Sequence, residues 1–174
     1  MALFEELWKN YPEDLVIKLK CRNDQPNKPS VEFTDYCSIK MSDCFNKSGV
    51  GIANMKGNRC WSHGGYKHIL LAEDLALGLK AFPPTNFGKL EIIPPDSFEE
   101  KLKGRTGVVF FKDYWKRDGQ TFANRSGDHI DLWNKDRITS RCIFTQNILE
   151  FFKILSDFND SKAIWFWEVK VNEI

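Results

Sequence analysis

The apolar residues of this chain change their spacing part-way along it, and that change decides the fold class. Early on they recur at helical intervals. Leu3, Phe4, Leu7 and Trp8 share one face, and the pattern stops at Tyr11-Pro12 because a residue before proline is biased away from the helical region. A further turn runs through Leu15, Val16 and Leu19. Cys37, Met41, Cys44 and Phe45 fall at i, i+4, i+7 and i+8, so they share a face while Ser38, Lys40 and Asp43 lie elsewhere. Thr34 or Asp35 offers an N-cap oxygen there, and Gly49 with Gly51 a stop. Leu71, Leu75 and Leu79 mark another helix, weakened by Gly78 and broken by Ala81-Phe82-Pro83-Pro84. The polar stretch from Cys21 to Ser30, with two prolines, reads as a loop.

Later the period becomes that of strands. Gly107-Val-Val-Phe-Phe111 is a short β-rich run, and His129-Ile-Asp-Leu132 alternates polar with apolar; the two read as adjacent strands of one sheet. Lys112 to Asp128, between them, suits an exposed loop over a site. Ile148 to Phe158 suits a short helix and Ala163 to Val169 a closing strand. Helices first and strands later is the α+β pattern. At 174 residues, without repeat or linker, one domain spanning 1–174 is expected.

Charge and cysteine usage narrow the function. Lys plus Arg number 25 against 24 Asp plus Glu, so no global field favours nucleic acid or an acidic membrane face. The opening Met1-Ala-Leu-Phe-Glu-Glu-Leu-Trp8 carries acids where a signal peptide needs bases, and the longest apolar run, Ala163 to Trp167, is too short for a bilayer. Neither a conventional leader nor a membrane span is expected. The five cysteines, at 21, 37, 44, 60 and 142, are odd in number, so at least one thiol is unpaired within a monomer.

Cys37 is the candidate nucleophile. A thiolate in the first turn of a helix is stabilised by free backbone N–H groups and the positive end of the dipole. Only His63, His68 and His129 can act as its base, and His129, opening a strand after Gly127-Asp128, is the best placed. On its own a helix-start cysteine is more often a small buried apolar group. Cys44, on the Met41 face, reads as core. Cys21 sits in a polar loop with nothing nearby to activate it. Cys60-Trp-Ser-His63 followed by His68 carries metal-ligand residue types, but no Cys-x-x-Cys or His-x-x-x-His completes a zinc pattern, so no metal or cofactor is expected. His68 reads as a helix-terminus or cleft residue, and Lys40 and Arg59 as solvated charges or anion contacts. The aromatic ends, Phe4 with Trp8 and Trp165-Phe166-Trp167, read as core filling.

Three segments together resemble a known family, the fourth family of type VI secretion amidase effectors, papain-like cysteine peptidases that cut peptidoglycan stem peptides. They are Phe4-Glu-Glu-Leu-Trp8-Lys-Asn-Tyr11-Pro12, similar to that family's opening; Phe33-Thr-Asp-Tyr-Cys37-Ser-Ile-Lys-Met41-Ser42, similar to its nucleophile motif; and Gly127-Asp-His129-Ile-Asp-Leu-Trp133-Asn134, similar to its histidine strand. The resemblance implies a papain-like fold, with the nucleophile helix packed on an antiparallel sheet. It implies that Cys37 attacks an amide carbonyl, that His129 relays the thiol proton to the leaving amine, and that the Cys37 backbone N–H helps to hold the oxyanion. It also implies the D-glutamate to meso-diaminopimelate bond as target, injection by the type VI apparatus into a recipient's periplasm, and a cognate immunity protein blocking the cleft.

The chain departs from the family pattern at the residue that orients the histidine. The family's acid lies on the following strand, and the matching place, around Ser140, holds none. Asp131, two positions from His129 and on the same strand face, is the favoured substitute. Asp136, Ser140 or a backbone carbonyl are the alternatives. The family's disulfide after the histidine strand is likewise not expected, because only Cys142 stands there. A housekeeping NlpC-like amidase, a cysteine acyltransferase, or an inactive cell-wall-binding domain would carry the same scaffold.

Overall fold

The longer helices form where the sequence supplies an end signal beside recurring apolar residues. In this computed structural model, which describes residues 2–139 and 158–171, helix α1 spans Leu3–Asn10. Its start is held by Glu5, whose carboxylate accepts from the Ala2 N–H at 3.4 Å, and Tyr11 turns extended ahead of Pro12. Helix α2, Asp14–Lys20, corrects an expectation: Leu15, Val16 and Leu19 are 68%, 52% and 71% exposed, and the buried anchor is Ile17. In so short a helix Ile17 and those three cannot share one face.

Helix α3, Cys37–Lys47, starts and stops as the sequence predicts, with Gly49 at φ +73° just past its end. It is not one-sided, however. Every residue from Cys37 to Phe45 is buried, so its polar positions must find partners inside the protein. Lys40 Nζ bonds Asp14 at 2.8 Å and lies over the Tyr11 ring, so it is no solvated charge. Cys44 donates to the Leu7 carbonyl, as a core thiol. Helix α4, Ala72–Ala81, begins one residue later than Leu71, which is left exposed. Gly78 has a packing reason, because a Cβ there would lie 2.7 Å from Met55.

The sheet has five strands: β1 Glu91–Ile93, β2 Thr106–Trp115, β3 Gly127–Asn134, β4 Arg137–Ile138 and β5 Ala163–Glu168. Their order is β1-β5-β2-β3-β4, antiparallel throughout. The expected β2–β3 pairing is present, with Phe111 opposite His129 and Val109 opposite Asp131. Strand β2 runs on to Trp115 past a bulge at Asp113, φ +52°, so the connecting loop shrinks from the expected 112–128 to 116–126. Strand β5 lies inside the sheet, between β1 and β2. The sequence reading gave no sign of β1, of the 3₁₀ turn Pro95–Ser97, or of helix α5, Phe98–Leu102. The expected helix from Ile148 lies outside the described residues up to 157.

Alternation along β2 builds two apolar layers. Val108 and Phe110 face α1, α3 and α4 through Leu7, Met41, Phe45, Leu75 and Leu79, whereas Val109 and Phe111 join Phe98, Leu102, Trp133 and Phe166 on the other side. Each such side chain, fully buried, contributes about 1.5–3 kcal/mol. Gly107 is required where β5 crosses, because a Cβ would meet the Trp167 carbonyl oxygen at 2.2 Å. Phe166 and Trp167 are fully buried, as core filling. Among the described residues no helix is long and apolar enough to cross a membrane.

Candidate active site

A cleft of about 280 Å³ opens where the start of α3 meets β3, lined by Tyr11, Asp14, Lys18, Asp35, Cys37 and His129 among others. Cys37 enters it because Tyr36 leaves helical geometry just before it and the Asp35 carboxylate accepts from the Cys37 N–H at 2.9 Å. Asp35, one of the two residues expected to offer a cap oxygen, holds the first helical N–H, while the N-cap residue itself is Tyr36 and carries no side-chain cap bond. His129 comes from the third position of β3, not its first. Its ring stacks on Phe158 at 5.6 Å between centroids, with Phe111 and Tyr114 at 6.4 Å. That packing fixes the plane in which the imidazole can turn.

Asp131 is joined to His129. Its Oδ2 lies 3.2 Å from His129 Nε2, so the i, i+2 spacing brings the two side chains into contact. Its Oδ1 accepts from the Leu132 N–H at 2.7 Å, the Thr139 N–H at 3.3 Å and the Thr139 hydroxyl. A fully buried carboxylate held by that many donors is fixed in place. Asp136 lies exposed in the β3–β4 turn, and Ser140 lies outside the described residues, as does Cys142. Sequence reasoning missed Thr139; the signal was that the family's acid position falls beside it. The Tyr11 hydroxyl is also buried here, near Asp131 and Thr139, and burial followed by the Asp131 charge pushes that phenol well up.

The Cys37 thiol rests protonated. Burial pushes it well above the ordinary thiol range, the Asp35 charge adds to this, and hydrogen bonds from the Ile130 and Ser38 backbone oppose it. The dipole argument alone had favoured a thiolate. Asp35→Asn keeps an oxygen for the Cys37 N–H but removes the charge. It is expected to speed alkylation of Cys37 by iodoacetamide at neutral pH by roughly three- to tenfold, one pKa unit being tenfold in thiolate. Rates followed by peptide mass spectrometry test this, and an unchanged rate would mean that burial alone holds the proton.

A model of the family "type VI secretion system (T6SS), amidase effector protein 4", Tae4, matches residues 33–167. The chain belongs to this family. It is thus an amidase effector, an antibacterial hydrolase of peptidoglycan. The Tae4 match covers Cys37, His129 and Asp131 and leaves α1 and α2 outside. Among solved structures, the Tae4–Tai4 effector–immunity complex from Enterobacter cloacae is 20% identical, with TM-score 0.62 over 98% of this chain and 99% of that one. Tae4 alone from Enterobacter cloacae gives 16% identity and TM-score 0.60, covering 98% of each chain. The Tae4–Tai4 system from Salmonella typhimurium gives 18% identity and TM-score 0.54 over 79% and 75%. These likenesses bear out the papain-like α+β architecture. A comparison with curated proteins finds no match.

The other two histidines are not in the cleft. His68 is fully buried behind α3, and His63 and Cys60 lie against it with Cys21, so the expected cleft or helix-end role for His68 is corrected. The bond from the Cys21 thiol draws Cys60 down to about 3, against burial and helped by His68, while Cys21 is itself pushed up by that bond and by burial. Arg59 is not an anion contact either: its guanidinium donates to the Ile52, Met55 and Lys67 carbonyls.

Proposed function

We propose that Cys37, His129 and Asp131 perform the amide hydrolysis. What carries this reading is one arrangement, a cleft lined by both Cys37 and His129 with a buried carboxylate on one ring nitrogen of the histidine. Asp131 engages Nε2, so the thiol proton passes to Nδ1. The thiolate adds to the carbonyl carbon, His129 then gives that proton to the leaving amine as the C–N bond breaks, and water, deprotonated by the same ring, cleaves the thioester and restores the thiol. Because the thiol starts protonated, transfer to His129 accompanies or precedes attack. The Cys37 N–H serves the oxyanion only once Asp35 gives way, since that carboxylate occupies it in the resting enzyme.

The whole chain acts as one amidase unit. Its substrate is the D-glutamate to meso-diaminopimelate bond of the stem peptide, met in the periplasm of a recipient cell after injection. Its partner is an immunity protein of the Tai4 kind, which silences it by filling the cleft between Cys37 and His129. Purified sacculi digested by the enzyme test the bond directly. Mass spectrometry is expected to find fragments with a new D-glutamate carboxyl and a new diaminopimelate amine. Cleavage at another amide would overturn the bond assignment, and sacculi that bind the protein without fragments would make it a wall-binding domain.

A further inference from the structure

We propose that Cys21, Cys60, His63 and His68 form a tetrahedral site for a zinc-class divalent cation, outside the cleft, that fastens the end of α2 and the loop before α4 to helix α3. One ligand atom from each lies within 4.8 Å of all the others. A zinc ion with bonds of about 2.3 Å to sulfur and about 2.05 Å to nitrogen needs tetrahedral edges of roughly 3.3 Å between nitrogens and roughly 3.6 Å between sulfur and nitrogen. Here His63 Nε2 and His68 Nδ1 are 3.3 Å apart, and Cys60 Sγ is 3.0 Å from the first and 3.5 Å from the second. Two thiolates with two neutral imidazoles cancel the dication's charge, which a buried site requires.

The surrounding groups orient the ligands. His63 Nδ1 lies 2.8 Å from the Gly64 carbonyl and His68 Nε2 lies 3.2 Å from Asp43 Oδ1. Both of those atoms are acceptors, so those ring nitrogens carry the protons, and the lone pairs on the other two face each other. A cation between them satisfies both, as a shared proton does in its absence. A carboxylate behind one metal-binding imidazole and a carbonyl behind the other is the usual outer shell of such sites. Asp43 is itself buried on α3 and paired with Lys20 and Lys47. The His68 N–H also donates to Cys60 Sγ at 3.1 Å, as backbone groups do around bound thiolates.

The ligands come from two segments already joined. An antiparallel bridge between Arg59 and Ile69 closes the loop that carries Cys60, His63 and His68. The Arg22 N–H, beside Cys21, donates to Ser62 of that loop at 2.8 Å. The sequence shows only half of a zinc pattern, His63-x-x-x-x-His68, because Cys60 has no neighbouring cysteine and Cys21 stands 39 positions before it.

The full chain, purified under reducing conditions without chelator, is expected to carry one zinc by elemental analysis. Cys37→Ala should keep it, and Cys21→Ser and Cys60→Ser should lose it. Asp43→Asn should weaken affinity by about 10- to 100-fold, the usual effect of removing an outer-shell partner. Cobalt(II) added to metal-stripped wild type should give the intense visible bands of a tetrahedral thiolate site and raise the thermal midpoint. That measurement decides the matter even if the cysteine variants do not fold. Reduced, folded wild type that takes up neither zinc nor cobalt overturns the proposal. So does metal that departs with Cys37 while Cys21→Ser retains it. A Cys21–Cys60 disulfide in protein that binds no cobalt after reduction overturns it in favour of a cross-link.

Discussion

Cys37→Ala is expected to release no stem-peptide fragments from purified sacculi, with turnover lower by on the order of 10⁵-fold or more, the scale seen when a covalent nucleophile is removed. The size follows from the mechanism. Without the sulfur there is no thioester, and His129 has only water to activate at a site shaped for an attached nucleophile. The protein should still fold, because alanine is the best helix former at this first position of α3 and the deleted atom is one that burial and Asp35 keep neutral. Thermal midpoint and far-ultraviolet dichroism should therefore match wild type. Retention of more than about a hundredth of the activity would remove Cys37 from the role, since chemistry by any other group here would need a different site.

Asp131→Asn should lower kcat by roughly 10²- to 10⁴-fold with little change in KM, as when a triad carboxylate is replaced by its amide. In the proposed mechanism Asp131 is a positioning residue. One oxygen accepts a hydrogen bond from His129 Nε2 while the other accepts from Leu132 and Thr139. An asparagine has one acceptor oxygen for these two duties. If its oxygen stays with Leu132 and Thr139, its NH₂ faces Nε2, which then becomes an acceptor and moves the ring proton to the nitrogen that must receive the thiol's. A purely structural carboxylate would cost stability and leave kcat of the folded fraction alone. The split of kcat against KM, measured beside the thermal midpoint, separates the two, and an unaffected kcat would take the role from Asp131.

Legibility in the sequence followed local spacing. The α1 and α3 boundaries and the central parts of β2, β3 and β5 were readable because the apolar period there runs over four or more residues. So was the His129–Asp131 contact, which rests only on the two-residue repeat of a strand. What failed depends on neighbours distant in sequence. Lys40 and Arg59 look like surface charges until Asp14 and three carbonyls are brought to them. Leu15, Val16 and Leu19 look like a buried stripe until Ile17 takes the inward position. Strand β1 has three residues, too few to show a period, and exists because β5 offers it an edge. Cys21 looks inert until the fold sets it against Cys60. The Cys37 environment divides the same way: the helix start and the Asp35 oxygen beside it were readable, while the depth of burial was not.

The position of β5 also sets when the protein can come into being. Val109 pairs with Phe166, and Ile93 with Ile164, so the strand latest in the sequence is the one that joins β1 to the rest of the sheet. The β2–β3 hairpin can close locally, but β1 has no partner, and Val109 and Phe111 no complete layer, until residues 163–168 arrive. Contacts of such sequence separation make folding slow and concerted. A ribosome partway through this message therefore holds a chain with an unfinished sheet behind α3. The sheet behind α3 is complete only when that inserted strand is in place.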